Sequence, residues 1–137
     1  METSNSSITF SIIMTAYNSE QYISCAINSI LDQQFKNWEL IIVDDCSNDS
    51  TLSVCNDYAE RDNRIRVVHL GSNCGPYLAR IKGIQEANGK YLLFLDSDDE
   101  YRYDSLNIIY KHMNQYDLDC LFYNCICVDG SEYSTLD

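Results

Sequence analysis

The chain has 137 residues, a length that predicts one domain with a substantial hydrophobic core. Apolar residues make up 45% and charged residues 22% of the sequence, an ordinary mixture for a globular protein. The formal net charge of −12 argues against a nucleic-acid partner, because too few Lys and Arg are available to neutralise phosphates. No apolar run approaches the ~20 residues that cross a bilayer.

The cysteine pattern favours a reducing compartment. Seven cysteines is an odd number, and no pair has the CxxC spacing. Together with the lack of a signal peptide, this predicts reduced thiols in a cytoplasmic protein, which would reach the inner face of the membrane only through partners. We interpret the cysteines as small buried hydrophobic residues rather than zinc ligands. We expect residues 1–7 to be a disordered polar tail and residues 8–137 to form the folded domain.

Strand-like and helix-like segments alternate along the chain. The strand-like segments are apolar and rich in β-branched or aromatic residues, and they lie at 8–15, 38–43, 65–70, 91–95 and 120–128. The segments between them have apolar residues with a 3.6-residue period, which predicts helices from a cap at 18 or 19 to about 33, then at 52–59, 76–87 and 105–113. This alternation predicts an α/β fold, with a mainly parallel sheet and helices on both faces.

Residues 91–99 join a strand to an acidic loop. The first five are large and apolar, and we interpret them as a fully buried strand. Asp96, Asp98 and Asp99 follow it, and carboxylates this close repel one another unless a cation or hydrogen bonds compensate. We interpret Asp98 and Asp99 as ligands of Mg²⁺ or Mn²⁺ that hold a phosphorylated ligand. The alternative is an acidic loop that caps the next helix.

Two earlier strands also end in polar residues. Ligands of parallel sheets bind outside the carboxyl ends of the strands, where Thr15, Tyr17, Asp44 and Asp45 are expected. The two aspartates could accept hydrogen bonds from a base or ribose, with helix capping as the alternative. Thr15 and Tyr17 could bracket a planar base, with packing at a strand end as the alternative. Arg80 could reach a phosphate, but a solvated helix charge explains it more simply.

Glycine-rich nucleotide motifs are absent from the sequence. The first strand leads into TAYNSEQY rather than GxGxxG, and no P-loop is present. Support for a nicotinamide-binding or ATP-hydrolysing function is therefore lost. His69 and His112 lie at a predicted strand end and on a predicted helix, and we interpret both as structural.

Taken together, these segments resemble the nucleotide-sugar-binding half of inverting GT-A glycosyltransferases of family 2. The resemblance rests on SIIMTAYNSEQYI, SILDQQFKNWELIIVDDCSNDST, GPYLARIKGI and NGKYLLFLDSDDEY, which cover about residues 8–100 in the family's order. It implies a GT-A, Rossmann-like sheet. It also implies transfer of a sugar from a nucleotide-diphospho-sugar, UDP-sugar foremost, to a glycan or lipid-linked acceptor with Mn²⁺ or Mg²⁺.

The same resemblance implies roles for residues in several loops. The residues implied to contact the nucleotide are Thr15, Ala16, Tyr17, Glu20, Asp44, Asp45, Arg80, Asp96 and Asp98. The loop at 15–17 would contact the nucleoside, and Asp45 would read the base. The sequence at 96–98 matches the DxD motif, so Asp98 and Asp99 would handle metal, ribose and diphosphate. Arg80 matches the Arg of the family's A-R-N helix, but Ile81 replaces the Asn.

The end of the chain departs from the family. Family members place the acceptor site and the general base well downstream of the DxD motif, whereas this chain ends at residue 137. Asp129, Glu132 and Asp137 follow, but no motif identifies any of them as the base. We therefore expect a truncated donor-binding half with very slow transfer by the chain alone. We also expect the run at 121–128 to be exposed or shielded by self-association.

Three other functions compete with this one. A phosphoacceptor receiver domain would use LIIVDD, but receivers place that pair after their first strand and need a Lys that CLFYNCICVDG lacks. A phosphatase would use LDSD, but Thr or Val should follow its second Asp. A non-catalytic nucleotide-sugar-binding remnant is the third alternative.

Overall fold

Residues 7–122 are described by the computed structural model, and strands and helices alternate throughout them. The elements are β1 (Phe10–Ala16), α1 (Ile23–Leu31), β2 (Trp38–Asp44), α2 (Thr51–Arg61), β3 (Ile65–His69), α3 (Pro76–Glu86), β4 (Tyr91–Asp96) and α4 (Ser105–Tyr116). None of these helices has both the length and the apolar character needed to cross a membrane. The predicted α/β fold is confirmed.

The four strands form one parallel sheet in the order β3-β2-β1-β4. β1 is central, because Phe10 lies opposite both Trp38 on β2 and Tyr91 on β4. At the other end of β1, Thr15 lies opposite Val43 and Asp96. All strands run in the same direction, so their carboxyl ends meet at one edge of the sheet.

Helices cover both faces of the sheet, as predicted. On one face, alternate β1 residues pack with α1, α2 and α4 in the larger core cluster, whose fully buried members include Phe10, Ile12, Met14, Ile27, Ile30, Leu40, Ile42 and Leu106. On the other face, Ile13, Ile41 and Val43 pack against Ala79 of α3. β1 therefore contributes to two cores through the alternating direction of its side chains.

β4 corrects the expectation of a fully buried strand. Leu93 and Leu95 are buried, but the side chains between them are not: Leu92 is 41% and Phe94 42% exposed. Within the described residues β4 pairs only with β1, so it is an edge strand. Leu92 and Phe94 share the face on which α3 lies, and α3 packs over β1 and β2 instead. A run of five apolar residues in the sequence does not show which face of the strand is left uncovered by helices.

Several element boundaries differ from the predicted ones. α1 begins at Ile23, and Ser19 lies upstream of the helix rather than capping it with its side chain. α4 continues to Tyr116 and ends where Asp117 adopts the left-handed conformation, with a φ of 49°. Cys120 to Phe122 are not in a strand. The rest of the predicted strand at 120–128, and all but the last residue of the predicted tail at 1–7, lie outside the described residues.

A polar cluster fixes the amino end of the sheet. Ser11 Oγ donates to Glu39 Oε1 at 2.6 Å and accepts from Gly89 N at 2.7 Å. Asn88 N also donates to Glu39 at 2.6 Å. Burial alone would raise the pKa of the Glu39 carboxyl, but hydrogen bonds from Ser11 and Asn88 and the charge of Arg66 outweigh it and lower the pKa. The cluster therefore stabilises the fold above the unfolded carboxyl pKa, and this stability is lost as pH falls through the lower folded value.

α3 approaches the sheet through Gly83. A Cβ at this position would lie 2.4 Å from Ile13 Cγ2 and 3.2 Å from Val43 Cγ2. Both neighbours are β-branched side chains on buried strands, so they have little freedom to move away. The close contact places the helix, and the loop that precedes it, against the carboxyl half of β1 and β2.

Gly83→Ala should therefore lower the free energy of unfolding. Overpacking destabilises the folded state by about 1–3 kcal/mol, and the higher helix propensity of Ala offsets about 1 kcal/mol of this. We expect a net loss of about 1 kcal/mol in urea unfolding followed by circular dichroism. Gly71→Ala is the control, because a Cβ there meets no atom within 4 Å. If Gly83→Ala is as stable as wild type, the close approach of α3 is wrong.

Candidate functional site

Three loops converge at the carboxyl edge of the sheet. They follow β1, β2 and β4, and they meet because the parallel register aligns the ends of these strands. The loop before α3 reaches the same edge, where Leu70 N donates to the carbonyl of Asp44 at 2.9 Å. The edge thus collects polar groups from four parts of the sequence.

A cleft of about 240 Å³ opens between the loop after β1 and the start of α3. Four of the predicted nucleotide-contacting residues line it: Thr15, Ala16, Tyr17 and Asp45. The opposite wall is formed by residues to which the sequence pattern gave no binding role, namely Asn73, Gly75, Pro76 and Ala79. A glycine before a helix-starting proline was the only sequence signal for that wall.

Asp45 holds the two walls of the cleft together. Its side chain is almost fully buried, and Oδ1 accepts from Cys74 N at 2.7 Å while Oδ2 accepts from Gly75 N at 2.8 Å. Its own backbone N donates to the carbonyl of Ala16 at 2.8 Å. Gly75 has a φ of 85°, a conformation that favours glycine. Each carboxylate oxygen keeps further acceptor capacity toward a ligand.

Asp44 faces away from this cleft. It is fully buried on the face of Leu40 and Ile42, and Oδ2 lies 2.8 Å from His69 Nδ1 and accepts from Ser47 N at 3.3 Å. Within residues 7–122, Asp44 Oδ1 has no hydrogen-bond partner. The structure thus brings Asp45, but not Asp44, to the lining of the cleft. His69 is the side chain that pairs with Asp44.

Glu20 is also placed away from the cleft lining. Its Oε2 accepts from Ser50 N at 2.9 Å, just before α2, and its backbone N donates to Asp49 Oδ2 at 3.3 Å. An acidic side chain here accepts a hydrogen bond from a backbone N–H at the start of the helix, and its negative charge interacts favourably with the helix dipole. Glu20 therefore ties the loop after β1 to the start of α2.

Asp96, Asp98 and Asp99 form the acidic triad. One carboxylate oxygen from each lies within 4.8 Å of the others. The three belong to a tight turn in which Asp99 N donates to the carbonyl of Asp96 at 3.0 Å. Partial burial, then the charges of Asp98 and Asp96, raise the pKa of the Asp99 carboxyl. A divalent cation would relieve this repulsion, and an all-oxygen ligand set suits Mg²⁺ or Mn²⁺.

Arg80 of α3 reaches the triad. Its Nη2 lies 2.7 Å from Asp96 Oδ1, and both side chains are half-exposed. One guanidinium thus opposes part of the charge of three carboxylates. The pair also connects α3, which lines the cleft, to the acidic triad. Arg80 is therefore an ion-pair partner of Asp96 and not only a solvated helix charge.

The general base is not assigned. The tail carboxylates Asp129, Glu132 and Asp137 lie outside the described residues. The apolar run at 121–128 is described only as far as Phe122, which is almost fully exposed. The five cysteines of residues 7–122 are free thiols, but Cys55 alone among them is buried, so the interpretation of the cysteines as buried hydrophobic residues is wrong for the other four.

Asp45→Ala should loosen the wall of the cleft. The backbone N–H groups of Cys74 and Gly75 would lose their acceptors, so we expect their hydrogen exchange to accelerate by about tenfold or more. Asp57→Ala, an exposed change on α2, should leave these amides unaffected. Unchanged exchange in Asp45→Ala would show that Asp45 does not hold this loop.

The comparisons with known proteins agree on one family. The sequence profile described as Glycosyl transferase family 2 matches residues 11–135. The Bacillus subtilis glycosyltransferase TuaG, whose name assigns it to teichuronic acid biosynthesis, is 40% identical over 125 residues, which cover 88% of this chain and 49% of TuaG. The chain thus spans about half the length of TuaG.

Solved structures of TarS from Staphylococcus aureus are also similar. TarS is a poly(ribitol-phosphate) β-N-acetylglucosaminyltransferase, and one structure matches with a TM-score of 0.85 and 33% identity, covering 93% of this chain and 23% of that one. Its fragment 1–349 matches with a TM-score of 0.75 and 35% identity, covering 80% of this chain and 33% or 32% of that one. That fragment was solved with UDP and with UDP-GlcNAc.

Proposed function

The chain belongs to glycosyl transferase family 2 and has the GT-A fold expected from its sequence. From this we propose that it binds a UDP-sugar, the sugar donor of a glycosyltransferase reaction. The observation that carries the proposal is the pairing of a base-sized cleft with an acidic triad at one sheet edge. The UDP and UDP-GlcNAc complexes of the TarS fragment support this choice of donor. Transfer to a glycan or lipid-linked acceptor is part of the same proposal.

The cleft holds the nucleoside in this proposal. Thr15, Ala16 and Tyr17 form the wall against which the base lies, and Asp45 accepts a hydrogen bond from it. A carboxylate accepts but does not donate, so Asp45 favours a base with a ring N–H, as in uracil. Because two backbone donors already fix Asp45, its spare acceptor positions have a fixed direction before the nucleotide arrives.

The acidic triad holds the cation in this proposal. Asp98 and Asp99 would bind Mn²⁺ or Mg²⁺, with Asp96, the member that Arg80 contacts, beside them. When bound, the cation acts as a Lewis acid that neutralises the departing diphosphate. Arg80 keeps Asp96 paired and adds a positive charge on the side of the cleft. Glu20 and Asp44 lie outside the cleft lining, so in this proposal they support the loops around the nucleotide.

The receiver alternative needs an acidic pair open to phosphoryl transfer. Asp44 is fully buried against His69, and both oxygens of Asp45 accept backbone hydrogen bonds. Asp44 is therefore closed to a phosphoryl donor by burial, and this proposal assigns the remaining acceptor positions of Asp45 to the base of the nucleotide. The non-catalytic remnant keeps the same donor site and differs only in lacking a base within reach of the acceptor hydroxyl.

Two substitutions should affect UDP binding in different ways. Asp98→Asn removes a charged cation ligand, so it should weaken UDP binding by about tenfold or more with Mn²⁺ and leave metal-free binding unchanged. Asp45→Ala should weaken binding with and without Mn²⁺, because it removes the acceptor for the base. The measurement is isothermal titration calorimetry.

Asp57→Asn is the matched control, because it removes one negative charge from an exposed helix position away from the sheet edge. It should bind UDP like wild type under both conditions. A wild-type chain that binds no UDP with Mn²⁺ present would contradict the donor proposal. A donor complex that turns over briskly with an added acceptor would contradict the remnant alternative.

The open edge of β4 is proposed as a surface for a second copy of the chain. A groove of about 510 Å³ runs beside it, with Leu92, Phe94, Leu121 and Phe122 among its lining residues. Within residues 7–122 the outer side of β4 has no pairing strand, and such an edge can pair with the same edge of another copy. Isologous pairing of two edges would cover the apolar groove of both copies.

Phe94→Glu should therefore shift the chain toward monomer in sedimentation velocity, because it places a charge on the paired edge. Tyr77→Glu is the control, since Tyr77 is an even more exposed aromatic residue but lies on α3. Wild type that sediments as a monomer at all concentrations would count against self-association through β4.

A further inference from the structure

Two buried hydroxyl groups join the cleft to the acidic triad. Ser19 Oγ and Ser97 Oγ lie 2.6 Å apart, and the residues are only 7% and 6% exposed. Ser97 is the middle residue of the Asp96-Ser97-Asp98 motif, and Ser19 follows the cleft-lining loop by two positions. The sequence pattern gave Ser97 no role of its own and interpreted Ser19 only as a helix cap.

The hydrogen bonds of this pair have one consistent direction. Ser19 Oγ also lies 3.2 Å from the backbone carbonyl of Tyr17, which can only accept. A serine hydroxyl has a single proton, so when Ser19 donates to Tyr17 it accepts from Ser97. Ser97, Ser19 and Tyr17 therefore form a three-member chain, called here the serine relay. Its last member lines the cleft.

The middle of the serine relay is anchored in the core. Ser19 N donates to Thr51 Oγ1 at 2.8 Å, and Thr51 is fully buried at the start of α2. The carbonyl of Ser19 accepts from the N–H groups of Tyr22 and Ile23 at 2.9 Å each, where α1 begins. Ser19 is thus held by two helices that pack on the sheet, so its hydroxyl is a fixed point.

Within residues 7–122 the acidic turn continues from Asp96, which pairs with Thr15 at the end of β4, and Ser97 makes its buried side-chain contact. The internal contact of the turn is the hydrogen bond from Asp99 N to the carbonyl of Asp96, and Arg80 contacts it from α3 through half-exposed side chains. Asp98 and Asp99 are exposed, whereas Ser97 between the carboxylates points its hydroxyl into the protein. The Ser97 hydroxyl is therefore the buried contact that sets how the turn is oriented against the cleft.

We propose that Ser97 and Ser19 are positioning residues that make the cation and the nucleotide bind cooperatively. The relay fixes the triad relative to the cleft, so that a cation on Asp98 and Asp99 lies where the diphosphate of a bound nucleotide can also ligate it. The inference rests on the proposed function and deepens it, because it names residues that touch neither ligand but determine their coupling.

The test separates coupling from stability. The quantity measured is the ratio of the UDP dissociation constants without and with Mn²⁺, from calorimetry on the full chain. Ser97→Ala and Ser19→Ala should each lower this ratio by about three- to tenfold, the range expected for the loss of one net hydrogen bond. The double variant should lower it no further than the stronger single variant, since both changes break one relay.

Ser11→Ala is the matched control for these variants. Ser11 is a fully buried serine whose Oγ also makes a 2.6 Å hydrogen bond, but it lies at the amino end of the sheet. It should lower the free energy of unfolding at least as much as Ser97→Ala and leave the Mn²⁺ ratio within about twofold. If the two relay variants lose stability like Ser11→Ala but keep the wild-type ratio, the hydroxyls are only structural and the proposal is overturned.

A second readout needs no nucleotide. Electron paramagnetic resonance measures Mn²⁺ binding to the chain alone. This binding should weaken by about threefold or more in Ser97→Ala, because the carboxylates of the acidic triad are no longer pre-oriented. Equal Mn²⁺ affinities of Ser97→Ala and wild type would argue against the relay. Wild type that binds Mn²⁺ but not UDP overturns the donor proposal, while the Mn²⁺ comparison still decides whether Ser97 orients the triad.

Discussion

The candidate site depends on the parallel pairing of β1 with β2 on one side and β4 on the other. This register sets Thr15 beside Asp96 and brings Asp45 to the end of the adjacent strand. The pairing is held by apolar side chains that alternate between two cores, one under α1, α2 and α4 and one under α3. Loops that follow these strands can therefore be polar and exposed while their starting points stay fixed.

The excess of negative charge at this edge is resolved residue by residue. Asp45 accepts from two backbone N–H groups, Asp44 Oδ2 is hydrogen-bonded to His69, and Asp96 forms an ion pair with Arg80. Asp98 and Asp99 have no such charged partner among the described residues, and the pKa of Asp99 is raised rather than lowered. Asp44 and Asp45 thus hold loops of the fold, Asp98 and Asp99 suit a cation, and Asp96 belongs to the triad while it pairs with Arg80.

β4 has two properties that arise from its edge position. Its end delivers the acidic triad, and its α3-side face leaves Leu92 and Phe94 open to solvent. Burial of Leu93 and Leu95 on the other face anchors the strand, and Ser97 continues that inward direction by one more alternate position. The same alternation that exposes two apolar residues therefore turns the middle of the DxD motif toward Ser19.

The sequence alone determined the α/β class, the order of the elements and the residue types that follow the strands. Hydrophobic periodicity and turn residues are local signals, so β2 and α3 were predicted close to their observed bounds. The grouping of Thr15, Tyr17 and Asp45 followed from the parallel topology and from the family resemblance. Only the tertiary structure decided that Asp44 turns inward to His69, that Glu20 faces α2, and that β4 has an open face. It also decided that Ser19 meets Ser97, 78 positions away, because which side chains touch across loops depends on packing that no local pattern encodes.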